Sequence, residues 1–233
     1  AVVHDAHVAV LDAAKTAGVT RFILLSALCV HQPQLPFQRA KLAFEAKLIE
    51  SGLSYSIVRP TAFFKSLSGQ VARVQAGKPF MLFGDGQLTA CKPISDDDLG
   101  DFIAGCLVEP ARANAILPIG GPGPAITPLD QGNALFEMLG NAPQFRRVPV
   151  VMMKAIIAGL YVAGFFSARA RDKADLARIG LYYATHSMLV WDEASGAYSE
   201  EATPETGSER LFDFYGAIIR GEQQVGLGDH AVF

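Results

Sequence analysis

Two residues one helical turn apart, in the string Phe37-Gln38-Arg39-Ala40-Lys41, carry the pattern with the most chemical content in this chain. They follow a run, Arg21-Phe22-Ile23-Leu24-Leu25, that reads as a buried strand and ends in Ser26-Ala27. A tyrosine at the aromatic position would give or take a proton, its hydroxyl acidified by an ammonium four residues on. Phe37 has no proton to give. Alcohol-carbonyl chemistry is therefore disfavoured, and Lys41 is left with a binding role.

The elements around these residues must place them at one edge. Residues 1–17 read as a helix with Val3, Val10, Leu11 and Ala14 on one face and Gly18 as its stop. After the strand at Arg21 comes a helix from about Phe37 to Glu50, with Leu42, Ala46 and Ile49 as its apolar face and Lys41 placed to pair with Glu45. Tyr55-Ser56-Ile57-Val58-Arg59 is a second strand, closed by Pro60. Helix, strand, helix, strand at this spacing predicts a parallel α/β sheet. Right-handed crossovers put both strand ends on one rim, where ligands of such sheets sit, so Ser26-Ala27, Lys41 and residues 60–65 should converge.

Further along, residues 62–75 are expected to be helical, and Gly84-Asp85-Gly86 between residues 80–83 and 87–90 predicts a hairpin. Ser95 before Asp96-Asp97-Asp98 reads as an N-cap with acidic residues in the first turn, a better fit than a metal site because consecutive helical side chains splay apart. Ile116-Leu117-Pro118-Ile119 is a strand. The loop Gly120-Gly121-Pro122-Gly123-Pro124 lacks amide donors at its prolines and reads as a backbone turn, not a phosphate cradle. No strand, glycine-rich turn and helix of the dinucleotide-binding type occurs in the sequence. His4-x-x-His7 reads as helix surface, without a third ligand nearby, so no metal is expected.

Composition bounds the function classes. The chain has 233 residues, half of them apolar, a net charge of −3 and no basic cluster, which removes nucleic acid as a partner. Cys29, Cys91 and Cys106 are odd in number and form no Cys-x-x-Cys pair, which fits reduced thiols in a cytosolic or stromal compartment. The uncharged, mostly apolar stretch 155–168 is shorter than the roughly 20 residues a spanning helix needs and reads as a buried or interfacial helix. It allows peripheral contact with a membrane, not a crossing. The expected fold is α/β: the C-terminal part of a Rossmann-like doubly wound parallel sheet in residues 1–141, with a smaller, mostly helical substrate-facing lobe in residues 142–233. The chain reads as starting within a domain, so targeting is not legible at its N-terminus.

The strand ending in Ser26 and the helix carrying Lys41 are shared with the short-chain dehydrogenases at large. Two strings are more specific, residues 61–70 (Thr61-Ala62-Phe63-Phe64-Lys65 onward) and residues 116–128, and residues 18–27 and Val58-Arg59-Pro60 accompany them. Together with residues 92–101 and the closing 229–233, the sequence resembles the NADPH-dependent, NmrA-like divinyl chlorophyllide a 8-vinyl-reductases. The resemblance implies reduction of the C8 vinyl group of divinyl chlorophyllide, or of the protochlorophyllide, to ethyl, with NADPH as cofactor. It implies that Lys41 binds the nicotinamide ribose as the catalytic lysine, that Ser26 and Ala27 line the nicotinamide, and that Pro60, Thr61 and Ala62 present backbone to the carboxamide. Phe63, Phe64 and the 155–166 helix are then candidate contacts for the flat ring. The implied compartment is bacterial cytoplasm or chloroplast stroma. Phe37 suits a conjugated vinyl group, where no carbonyl oxygen needs a tyrosine. Two alternatives share the pattern: a non-catalytic NmrA-like dinucleotide sensor, and an isoflavone-reductase-like enzyme on another conjugated double bond.

Overall fold

The structure is a computed structural model that describes residues 2–224, with side chains from Asp5 onward. In chain order its elements are α1 (Val2–Thr16), β1 (Arg21–Leu25), α2 (Pro36–Glu50), β2 (Ser54–Pro60), α3 (Phe64–Leu67), α4 (Val71–Gln75), β3 (Phe80–Phe83), α5 (Asp96–Val108) and β4 (Ala115–Ile119). They continue with α6 (Pro128–Met138), β5 (Phe145–Val148), α7 (Val150–Ala163), α8 (Ala168–Thr185), β6 (Val190–Asp192), β7 (Ala197–Ser199) and α9 (Leu211–Ile219). The chain divides into two compact units. One holds Ala1–Ala62, Lys92–Gly123 and Leu189–Glu209; the other holds Phe63–Cys91, Pro124–Met188 and Arg210–Phe233.

The first unit is α/β, built on a parallel sheet of order β1-β2-β4, with Leu25 opposite Val58 and Pro60 opposite Ile119. Its core packs Leu11 of α1, Leu24 of β1, Phe44 and Leu48 of α2 and Ile57 of β2, each fully buried aliphatic contributing about 1.5–3 kcal/mol. The helical faces differ in detail from those expected. On α1, Val8 and Leu11 face the core and Val10 is exposed, because 100° steps put i and i+3 on one side and carry Val10 off it. Val3 and His4 lie outside the residues whose side chains are described. On α2 the buried positions are Gln38, Phe44, Glu45 and Leu48, while Ala46 and Ile49 face outward. A buried ion pair accounts for the difference: Glu45 occupies a position that periodicity reserves for an apolar residue.

Ser95 caps α5 by accepting from Asp98 N at 3.0 Å, and Asp98 turns its carboxylate to the amides of Ser208 and Glu209 at 2.9–3.1 Å. The acidic run is thus a cap and a clamp on a distant loop. Gly207 must be glycine there, since it has φ +80° and a Cβ would stand 2.1 Å from the Asp98 carboxyl carbon.

In the second unit β3 pairs in parallel with β5 and not with residues 87–90. The Gly84-Asp85-Gly86 turn forms, closed by Gly86 N to Phe83 O at 3.2 Å, but the chain after it does not return as a strand. The expected helix over 62–75 is broken into α3, a 3-10 turn at Ser68–Gln70, and α4. Their core joins Phe64, Val71, Val74, Phe80 and Leu82 to Leu135, Phe136, Leu211 and Tyr215. Thr127 caps α6 with Asp130 in a reciprocal capping box.

Candidate functional site

Because β1, β2 and β4 run parallel, their C-terminal ends share one edge of the first unit. Ser26 N donates to Val58 O at 2.7 Å and Thr61 N to Ile119 O at 3.0 Å, so the sheet ladder continues one residue past each strand. Ala62 O accepts from Ile94 N at 3.0 Å. The backbone of Ser26-Ala27 and that of Pro60-Thr61-Ala62 are therefore fixed side by side by the sheet, as the sequence spacing predicts. Thr61 is buried, with 3% of its surface exposed.

Helix α2 sets the lysine. Pro36 occupies its first turn, and the Gln38 side chain accepts from the amides of Gln34 and Leu35 at 2.7 and 2.8 Å, which fixes the start of the helix and hence the phase of Lys41. Lys41 Nζ reaches the carbonyl of Leu25, the last residue of β1, at 3.5 Å. Together with Ser26, Leu24, Ala40, Phe44 and His7 it lines a small, mostly apolar depression at that edge. Lys41 is half-buried as a residue, its ammonium stands at a strand terminus, and among the described residues it is held by a single weak, exposed bond. It is available to a ligand's hydroxyl groups.

Beneath this edge lies a buried network that the sequence does not announce. Ser26 Oγ donates to Glu45 Oε1 at 2.5 Å, Arg59 Nε donates to the same oxygen at 3.2 Å, and Arg59 pairs with Glu45 Oε2. The Glu45 side chain is 3% exposed and that of Arg59 13%. Lys41, expected to pair with Glu45, instead points to Leu25, because the carboxylate is turned inward to Arg59 and Ser26. His31, in the 3-10 turn after β1, accepts from Trp191 N at 3.2 Å through Nδ1. Burial, and after it the Arg59 charge, hold the His31 pKa below its ordinary value, with Glu45 and Glu193 pulling the other way. His31 is neutral at pH 7. The one available signal for this network was Arg59 itself, a charge inside an otherwise apolar strand run.

Phe37 is half-buried in the first turn of α2. Phe63 and Phe64 belong to the second unit. Phe64 is 3% exposed, packed in that unit's core at 5.5 Å from Phe214. Its ring has no free face to offer a substrate, whereas Phe63 is half-buried and retains some. Gly121, in the loop after β4, donates to Lys92 O at 2.8 Å, and a Cβ on it would stand 1.7 Å from Pro93 O. That glycine serves a close backbone crossing, in accord with reading the loop as a turn.

The comparisons with known proteins bear on this edge. An NAD(P)H-binding family profile matches residues 3–110, which contain β1, α2 and β2. The chain is 50% identical over 230 residues to the divinyl chlorophyllide a 8-vinyl-reductase of Cucumis sativus, covering 96% of this chain and 55% of that protein. It is 51% identical over 216 residues to that of Arabidopsis thaliana, covering 90% and 52%. Both relatives are described as chloroplastic. In fold it is similar to an NADPH-dependent quinone oxidoreductase from Escherichia coli solved with NADPH, at a TM-score of 0.62 and 18% identity, over 91% of this chain and 70% of that one. The chain spans about half the length of the curated relatives it matches. With a Rossmann-like α/β fold and half its residues shared along nearly its whole length, it is a homologue of the divinyl chlorophyllide a 8-vinyl-reductases.

Proposed function

We propose that the full-length protein containing this chain reduces the C8 vinyl group of divinyl chlorophyllide a to ethyl with NADPH. One observation carries the reading: 50% identity over 96% of the chain to a protein of that name. The sheet edge fits a nicotinamide dinucleotide. It offers a cation at the end of β1, an apolar depression beside it, and adjacent backbone from two strands. NADPH, when bound, supplies hydride.

Lys41 would hold the nicotinamide ribose by charge-assisted hydrogen bonds. Ser26 and Ala27 would line the ring, and Pro60, Thr61 and Ala62 would present backbone to the carboxamide. The Glu45–Arg59 pair keeps Ser26 oriented, with its hydroxyl proton committed to the carboxylate. Phe37 puts an apolar ring at the position of a tyrosine. Reduction of a vinyl group to ethyl adds one hydride and one proton across the double bond. Hydride addition at one carbon leaves charge that the conjugated macrocycle delocalises, and a proton then reaches the other carbon. No oxyanion develops, so the missing tyrosine is no loss. Of the two phenylalanines named for the flat ring, Phe63 is the one that is only half-buried, Phe64 being committed to its own unit's core. The compartment that suits this reaction is the chloroplast stroma or a photosynthetic bacterium's cytoplasm.

The test is incubation of the full-length protein with NADPH and divinyl chlorophyllide a in dim light, following pigment by chromatography. Conversion to the monovinyl pigment with equal NADPH loss is expected. Bound NADPH with neither compound consumed would replace the reductase by a dinucleotide sensor.

A further inference from the structure

Helices α7 and α8 form a hairpin within the second unit, tied by Tyr161 OH donating to Asp175 at 2.6 Å and by Arg178 donating to Tyr161 OH at 3.3 Å. Of the fourteen residues of α7, only Ile157 is buried. At 100° per residue, Val151, Met152, Ile156 and Val162 share an arc of more than a third of the helix circumference, and all four are exposed, by 75, 47, 52 and 64%. Beyond Gly164, which caps the helix, the hairpin turn presents Phe165 and Phe166 at 81 and 93% exposure. A continuous apolar surface of this kind marks a protein or membrane contact, not scattered surface hydrophobicity.

Charge chooses between the two. Residues 149–185 carry five basic side chains (Lys154, Arg169, Arg171, Lys173, Arg178) against two acidic ones (Asp172, Asp175), a net of +3 in a chain whose total is −3. Arg169 and Arg171 stand exposed in the first two turns of α8, whose first turn has no acidic residue. The helix dipole disfavours cations there. The same chain fills the first turn of α5 with three aspartates, so the arginines at α8 go against its own local preference. Two exposed phenylalanines followed by a cationic helix start match the chemistry of an anionic bilayer surface, which accepts aromatic rings at its acyl boundary and basic groups at its headgroups.

We propose that the α7–α8 hairpin docks the protein peripherally on an anionic lipid bilayer, with Phe165 and Phe166 inserted and Arg169, Arg171 and Lys173 at the headgroups. No described helix is long and apolar enough to cross a membrane, so the contact is a surface one. The proposal is independent of the reductase reading, because vesicle binding is measured without pigment or NADPH.

The experiment is flotation of the full-length protein with phosphatidylcholine vesicles, with and without about 30% phosphatidylglycerol, at low and high salt. Binding is expected only to the anionic vesicles and is expected to weaken with salt. It should fall about tenfold in the Phe165→Ser, Phe166→Ser double variant and about fivefold per charge in Arg169→Glu and Arg171→Glu. Circular dichroism checks that each variant is folded. A Phe166→Trp variant gives a second readout, with fluorescence emission expected to shift to the blue on adding anionic vesicles. Failure of the wild type to float, or equal flotation of wild type and variants, would overturn the proposal. A wild type that stays off vesicles but loses a dimer on Phe165→Ser, Phe166→Ser substitution would assign the surface to a second copy.

Discussion

Glu45 and Arg59 show at the scale of single residues how this edge is held. Removing one member of a buried ion pair leaves the other charged and without its partner, which typically costs about 3–5 kcal/mol, whereas replacing both by apolar groups costs far less. Glu45→Gln should therefore lower stability by that order in urea unfolding, and Glu45→Leu with Arg59→Met should recover most of it. Equal losses in single and double variants would mean that Ser26, not Arg59, is the partner that matters. Lys41 sits in the opposite situation, with one weak bond to Leu25 O. Lys41→Ala should leave the melting temperature nearly unchanged and raise the NADPH Kd about tenfold, the loss of one charge-assisted hydrogen bond, read by fluorescence titration of the full-length protein. His31 gives a pH dependence. Its folded pKa lies below the ordinary 6.5, so in the window beneath that value the unfolded chain binds a proton that the folded chain refuses. Stability therefore rises with pH through the window, is fully present above 6.5, and is lost as pH falls toward the folded pKa. His31→Gln should flatten that part of the stability-pH curve; an unchanged slope would exclude His31 as its source.

At the scale of elements, the fold depends on where chains cross as well as on what they are made of. Gly121→Ala would drive a Cβ into Pro93 O, a backbone atom that cannot step aside, and should cost about 3 kcal/mol in thermal or urea unfolding. A loss below about 1 kcal/mol would mean that the loop relaxes. The strands β1, β2 and β4, the cap at Ser95 and the rim shared by Ser26 and Pro60 were legible in the sequence, because each rests on local chemistry: apolar runs, an N-cap hydroxyl and the crossovers of a parallel sheet. What escaped was decided at a distance. The partner of β3 is β5, some sixty residues on, and nothing in the Gly84-Asp85-Gly86 turn excludes the hairpin that local pairing favours. The apolar face of α2 was misplaced by one step because Glu45 is buried, and burial of a carboxylate becomes intelligible only once Arg59 is known to lie opposite. The α7 helix posed the converse problem. Its composition permits burial or an interface, and only its packing, chiefly against α8 and with a single buried residue, distinguishes them.

At the scale of the whole molecule, each unit is assembled from three separated stretches of sequence, so late residues complete what early ones begin. The second unit shows this most directly. Phe64, Val71 and Val74 come early, Leu135 and Phe136 follow, and the buried Leu211 and Tyr215 of α9 close the same core. Tyr215 is fully buried, and its hydroxyl donates to Leu67 O at 2.8 Å; burial drives its pKa well above the usual phenol value, so it remains a neutral donor across the physiological range. Such non-local closure costs chain entropy before it returns contact energy. Tyr215→Phe removes the hydrogen bond but keeps the ring, and should cost about 1–3 kcal/mol because Leu67 O loses its buried donor. Ending the protein after Arg210 removes the whole apolar face of α9 and strips Phe64 and Phe136 of their cover. The second unit should then lose its cooperative melting transition in calorimetry while the first, whose segments all precede that point, keeps its parallel sheet by circular dichroism. Retention of a full-size transition in the shortened protein would show that α9 is an accessory, and that the early and middle segments close this core without it.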